Sequence, residues 1–259
     1  MISLPEIAGL SIAAAMAGAI NAVAGGGTLL TFPVLLFYGT SSLVANATST
    51  LALVIGTSGS LYGFRALLPA LRPWLIRFVP VSLVGGWLGS VLLTRTTEGA
   101  FDKLVPFLVL FATIVFLAQG AFRRFAGSHC GQTRTPERRR GILFSLAFQF
   151  AVSLYGGYFG AGIGILMLAS LGFLGFDDIH EMNALKNVLG SLINVVAALW
   201  FISAGLIDWP KTAVMSAGAI GGYFLGAHFS QKLPQLLVRR FVTWIGLAIS
   251  AWMFYRQFR

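Results

Sequence analysis

Charge is what this chain has least of. Only 10% of its 259 residues are Asp, Glu, Lys or Arg, and only 8 are acidic. A soluble domain carries about 25% charge. So few charges cannot cover a surface that faces water, so lipid must be the solvent for most of the chain. Cysteine is nearly absent: Cys130 stands alone, which excludes an internal disulfide and a cysteine-based metal site. No group of histidines, cysteines or carboxylates has metal-ligand spacing. Neither Gly-Lys-Ser nor Gly-Lys-Thr occurs, so there is no phosphate-binding loop and the chain itself is no ATPase. An intramembrane protease needs a nucleophile paired with a base inside the apolar segments. His228, at a position where a buried structural histidine is the default, does not supply one. No enzymatic activity and no cofactor are expected. The first apolar stretch has no basic region before it and runs straight into a glycine motif, so a cleavable signal peptide is not expected either.

What the chain does have is hydrophobic length, with 57% apolar residues. The predicted fold is all-α and integral to the membrane. About eight spanning segments are expected, near 4–24, 43–64, 74–94, 104–122, 141–159, 182–204, 210–230 and 236–255. Between the first and second lies Asn21-Ala22-Val23-Ala24-Gly25-Gly26-Gly27-Thr28. Three consecutive glycines cost a helix about 1 kcal/mol each relative to Ala and open turns closed to other residues. A short apolar piece follows to Tyr38, with Pro33 inside it, too short to cross a bilayer. The second half has a partner, Gly156-Gly157-Tyr158-Phe159-Gly160-Ala161-Gly162-Ile163-Gly164, and a second short piece to Leu174. Matched glycine-interrupted segments point to a transporter's binding site. The two short pieces are predicted as re-entrant half-helices.

The halves echo each other further. Gly221-Gly222 answers Gly85-Gly86 and Asn183-Ala184 answers Asn46-Ala47, at nearly one offset along the chain. The reading is two internal repeats, 1–122 and 141–259, joined by a basic linker at 123–140. The net charge of +10 is topological and does not signal nucleic acid, because the bases cluster between apolar segments as cytoplasmic loops do. The linker and the loop from Arg65 to Arg72 fall on one side, where the positive-inside rule places them in the cytoplasm. Pro69 and Pro73 are expected to break any helix in that loop. Whether the halves are parallel or inverted is not settled by charge. Lys211, Arg256 and Arg259 favour one scheme and Lys232, Arg239 and Arg240 the other. The shortness of the half-helices favours the parallel one.

Polar groups at membrane depth are expensive and face a bundle interior or a wet cavity. Asn183, Lys186, Asn187, Gly190, Ser191 and Asn194 recur at three- and four-residue spacing and share one helical face. Asn46, Ser49, Thr50, Gly56, Thr57 and Ser60 form a milder version in the first half. A lysine at mid-helix costs roughly 2.5–3.5 kcal/mol. A bound anion offsets that cost, as do the partly positive N-termini of two half-helices. The expected site is therefore an oxyanion held between the breaks by Asn21, Gly25, Gly26, Gly27, Thr28, Asn46, Thr48, Ser49, Gly160, Gly162, Gly164, Asn183, Lys186 and Asn187. Glu181 and His180 beside it could relay a coupling proton or ion. Plain structural readings stand beside these. Lys186 could snorkel or pair with Asp177, Asp178 or Glu181, the asparagines and threonines could bond helix to helix, and the glycines could serve close packing. His180 and Glu181 could be a solvated loop pair.

The run Ala17-Gly18-Ala19-Ile20-Asn21-Ala22-Val23-Ala24-Gly25-Gly26-Gly27, then Pro33, Gly39 and Ala45-Asn46-Ala47-Thr48-Ser49, resembles the TauE/SafE sulfite exporter family of permeases. Asn183-Ala184-Leu185-Lys186-Asn187, Gly205-Leu206-Ile207-Asp208-Trp209 and Gly221-Gly222 resemble that family's C-terminal repeat. The second break departs from the first, its glycines interleaved with Ala161 and Ile163, which leaves open whether both halves touch substrate equally. The resemblance implies a multi-pass secondary carrier of the bacterial inner membrane for sulfite, organosulfonates or related sulfur-containing anions. Its partners would be the lipid bilayer, a small anionic substrate and a coupling proton or ion, with homo-oligomer formation left open and no nucleic acid. Two rivals remain: a passive anion channel, and a non-transporting membrane subunit that docks a soluble partner through 123–140.

Overall fold

The structure, a computed structural model, describes residues 2–23, 26–63, 68–128, 138–172, 179–229 and 235–257. These form ten helices: α1 (Leu4–Val23), α2 (Thr28–Phe37), α3 (Ser42–Gly63), α4 (Leu68–Arg95), α5 (Glu98–Ser128), α6 (Arg138–Tyr158), α7 (Ile163–Gly172), α8 (Ile179–Ser203), α9 (Trp209–Phe229) and α10 (Gln235–Gln257). Among the described residues, four stretches are long and apolar enough to cross a membrane: Leu4–Asn21, Leu68–Arg95, Glu98–Ala118 and Glu181–Ser203. Large apolar side chains stand exposed around the outside, among them Ile12, Trp87, Phe111, Leu199, Phe224 and Trp244. Water does not tolerate so continuous an apolar exterior, whereas lipid requires it.

α4 begins at Leu68 and runs through Pro73 and Pro80. The expected helix break at Pro69 and Pro73 is therefore absent. Pro69 lies in the first turn, where the missing N–H has no intrahelical partner anyway. Pro73 gives up one helical hydrogen bond, and the helix continues past it. The basic stretch is helical at both ends, since α5 reaches Ser128 and α6 starts at Arg138. Cys130, Asp177 and Asp178 lie outside the described residues.

Small residues decide which helices touch. α1 packs on α9 and α4 on α6, and α3 and α8 each join the neighbouring pair. A methyl group on Gly218 would meet the Ser11 carbonyl at 2.5 Å, one on Gly226 the Ala19 backbone, and one on Gly85 the Ser153 side chain at 2.7 Å. Such backbone-to-backbone approach gives van der Waals contact in lipid, where apolar burial contributes little. The packing has a regular form. α1–α9 is matched by α4–α6, α3–α9 by α4–α8, and α5–α7 by α2–α10, each pair becoming its counterpart when α1–α5 are exchanged with α6–α10.

The same contacts give direction. Ser11 lies beside Gly218 and Ala19 beside Gly226, so α1 and α9 run the same way. Thr48 lies beside Asp208 and Gly56 beside Ala219, so α3 does too. α2 runs back along α1: Gly27 sits against Ala17, and the Tyr38 hydroxyl donates to the Pro5 carbonyl at 3.2 Å. α1 and α3 thus leave the same end of the molecule, and α2 is the return journey between them. α6 arrives at that end, where the Tyr158 hydroxyl lies 3.3 Å from Thr96 Oγ1. The two halves are opposed. The length argument for parallel halves fails for a physical reason. α2 starts level with Ala17, well short of the tip of α1, so ten residues rising about 15 Å, plus the turn at Tyr38 to Thr40, complete the return. The directions also resolve the tied charge count. The starts of α4, α6 and α10 and the end of α5, with their arginines, gather at one end. The start of α1, the turn between α4 and α5 and the start of α9 lie at the other.

Candidate functional site

Both helix pairs stop at the glycines. α1 ends at Val23 and α2 begins at Thr28, and α6 ends at Tyr158 and α7 begins at Ile163. Gly26 has φ +94°, Gly160 +80° and Gly162 +79°, left-handed conformations open to glycine and strained for residues with a Cβ. Gly25 lies outside the described residues. The breaks converge on one stretch of α5. A methyl on Gly26 would press into the Phe116 ring, and one on Gly162 would touch the Ala112 carbonyl and Val115, both at 3.7 Å.

The two breaks are wired differently. At the first, Asn21 reaches across from the last turn of α1, and its Oδ1 accepts the Gly27 N–H at 2.8 Å. The N–H groups of Leu29, Leu30 and Thr31 turn back onto Gly26 and Gly27 carbonyls. Thr31 Oγ1 lies 2.6 Å from Ser49 Oγ, both buried, which ties α2 to α3. Thr28 is the first residue of α2 and half-buried. At the second break, Ile165 and Leu166 donate to the Gly162 carbonyl. Among the described residues, nothing accepts from the N–H groups of Ala161, Gly162, Ile163 or Gly164. Successive N–H groups in such a turn make a concavity suited to anions, and here they open the N-terminus of α7.

Lys186 lies against this second break. A Cβ on Gly164 would be 3.5 Å from Lys186 Cδ, so the lysine stem runs along the first turn of α7. Its Nζ donates to Asn183 Oδ1 at 3.4 Å. Gly160 approaches the Asn194 amide oxygen, 3.7 Å from where its Cβ would be. Asn187 and Glu181 are half-buried in the first turns of α8, and the side chain of His180 lies outside the described residues. Asn46 also belongs here, from the other half: its Nδ2 donates to the Tyr158 carbonyl at 3.0 Å, at the end of α6. Thr48 does not. Its hydroxyl accepts the Asp208 N–H at 3.1 Å.

Thr48 leads instead to a group that sequence reasoning missed. Lys211 Nζ lies 3.0 Å from Glu6 Oε1, 2.9 Å from Thr40 Oγ1 and 3.8 Å from Asp208 Oδ2. The lysine and glutamate side chains are 12% and 15% exposed, so this is a largely enclosed ion pair joining α1, the turn after α2 and the start of α9. In sequence these residues merely cap three segments, and nothing signals that they meet. Thr31 and the Tyr158 carbonyl were also missed. A backbone carbonyl leaves no mark in sequence.

The comparisons with known proteins agree along almost the whole chain. The family model for sulfite exporter TauE/SafE matches residues 10–253. A probable membrane transporter protein of Haemophilus influenzae is 32% identical over 93% of this chain and 92% of its own length. The probable membrane transporter protein YfcA of Escherichia coli K12 is 27% identical over 95% and 88%. Probable membrane transporter protein ORF9 of a Sinorhizobium species is 23% identical over 94% and 90%. No solved structure matches at a significant level. With a helical membrane fold already in place and a family match from end to end, the chain belongs to the TauE/SafE sulfite exporter family of transmembrane transporters, and it is not an enzyme.

Proposed function

We propose that this protein is a secondary carrier for a small sulfur-containing oxyanion, sulfite or an organosulfonate such as sulfoacetate. The observation that carries the reading is the second break: four successive N–H groups with no acceptor among the described residues, at the N-terminus of α7, with the Lys186 stem laid along that turn. The N-terminus of a helix favours a negative group. An oxyanion can accept several such N–H groups at once. Gly160, Gly162 and Gly164 let it approach the backbone. The first break, whose Gly27 N–H is already held by Asn21, supports the site from the other half and contacts substrate less. This asymmetry follows the sequence difference between the breaks.

The halves are read as two inverted repeats, 1–122 and 141–259. Exchange of one for the other reproduces the helix pairings, which is the arrangement expected of alternating access around a site near the bilayer midplane. The end that gathers the arginines is assigned to the cytoplasm by the positive-inside rule, in a bacterial inner membrane, with 123–140 as the cytoplasmic link.

The test is counterflow in proteoliposomes. Unlabelled sulfite or sulfoacetate inside should accelerate uptake of the labelled anion, which a channel would not show. Lys186→Met should weaken apparent affinity about ten- to a hundredfold, the loss of one charged hydrogen bond worth about 1.5–3 kcal/mol. Unchanged affinity and rate would overturn the assignment.

A further inference from the structure

The other side of the second break has the opposite polarity. α6 ends at Tyr158, and a helix C-terminus carries partial negative charge on its last carbonyls. The Tyr155 carbonyl accepts from Phe159 and Gly160, and the Tyr158 carbonyl accepts from Asn46. Among the described residues, nothing donates to the carbonyls of Gly156 or Gly157. Beside this helix end sits an unmet acceptor. Asn46 is 1% exposed, and its Oδ1 has no hydrogen-bond partner. The amide cannot be turned around, because the Tyr158 carbonyl accepts only and so must face the Nδ2 group. One turn earlier on the same face of α3, the Ser42 hydroxyl is 3% exposed and equally without partner. Asn46 thus holds a neutral oxygen beside a negative helix end, deep inside the protein.

We propose that Asn46 Oδ1, the Ser42 hydroxyl and the end of α6 bind a monovalent alkali cation. The chemistry selects the class. A divalent ion requires carboxylates, and the oxygens of this proposed site are amide, hydroxyl and carbonyl. A proton has no titratable group to occupy among them. Carbonyl and amide oxygens suit sodium or potassium, and an ordinary hydrogen-bond donor from the protein is not provided. The cation sits at the end of α6 while the anion of the previous section sits at the start of α7, across one four-residue turn. Each lowers the electrostatic cost of the other, so the cation serves as the coupling ion of transport. The coupling role rests on the anion reading; cation binding itself does not.

The experiment is thermal unfolding of the purified full chain in detergent, free of sulfur anions, with chloride constant and choline replaced by sodium or by potassium. One of these cations should raise the melting temperature by about 5 °C or more near saturation. Asn46→Ala should abolish the response. Ser42→Ala, which removes one hydroxyl and leaves the Tyr158 contact intact, should weaken the half-saturating concentration about three- to tenfold. Equal melting in choline, sodium and potassium would overturn the proposal, as would an undiminished response in both variants. The titration holds no sulfur anion, so its failure leaves the anion reading untouched. Loss of sulfite binding with the cation response kept would sink the anion reading alone.

Discussion

Gly162→Ala separates the backbone of the second break from its surroundings. Gly162 has φ +79°, and the nearest atoms to an added methyl, the Ala112 carbonyl oxygen and a Val115 methyl, are both 3.7 Å away. The methyl fits, so the cost is conformational, about 1–2 kcal/mol for an L-residue in the left-handed region. Gly205→Ala is the matched control. Gly205 has φ +70° with nothing within 4 Å of its would-be Cβ, in the turn between α8 and α9. Both variants should lose similar stability, about 2–8 °C in melting temperature for a chain of this size. The same energy shifts the native turn against a relaxed one by about 5- to 30-fold. At Gly205 relaxation disturbs only a loop. At Gly162 it swings the N–H groups of residues 161–164 away from the position assigned to the anion. Counterflow with labelled sulfite should therefore be near normal in Gly205→Ala and reduced at least fivefold in affinity or rate in Gly162→Ala. Wild-type transport by Gly162→Ala, or equal impairment of both, would refute the reasoning.

Two further outcomes test contacts that hold the fold. Asn21→Ala removes the acceptor that holds the Gly27 N–H at 2.8 Å, and should cost about 0.5–2 kcal/mol, as loss of a helix cap does; denaturation of the purified protein measures it. Lys211→Met leaves Glu6 enclosed without its partner at 3.0 Å, and should destabilise by about 1–3 kcal/mol, less than a fully buried pair because both groups retain some exposure. Adding Glu6→Gln should restore part of that loss, and a double-mutant cycle with no coupling would argue that the pair contributes nothing.

Much of the architecture could be read from the residues because the relevant signals are local. Paired glycines alone do not end a helix, since Gly85-Gly86 and Gly221-Gly222 lie inside α4 and α9, but the denser runs do: the helices stop where Gly25–Gly27 and Gly160–Gly164 predict, at Val23 and Tyr158. Direction was not legible. It depends on whether a ten-residue helix can return the chain to its starting end, and that is decided by α2 beginning level with Ala17, a tertiary fact. The basic residues could not arbitrate, since three on each side balance until the path of α2 is known. Within the site, Lys186 beside Gly164 was readable from the rarity of lysine in apolar helix. The difference between the breaks was only half readable. Interleaved glycines distinguish the second, but that Asn21 covers the first from one turn back is set by how sharply the chain folds there. Asn46 facing Tyr158 joins positions far apart in sequence, and no pattern within either half announces it.

The glycine-lined seam between α1 and α9 has a consequence for how the protein is made. α1 leaves the ribosome well before its main companion α9, and at about 5–20 residues per second the wait between them lasts on the order of ten to forty seconds. Through that interval Ser11, Ala15, Gly18 and Ala19 face something other than their eventual neighbours. Insertion of the early helices and their final assembly are thus separate events, and a chain truncated before Trp209 would sit in the bilayer with its opening hairpin unbraced, a natural substrate for membrane quality control.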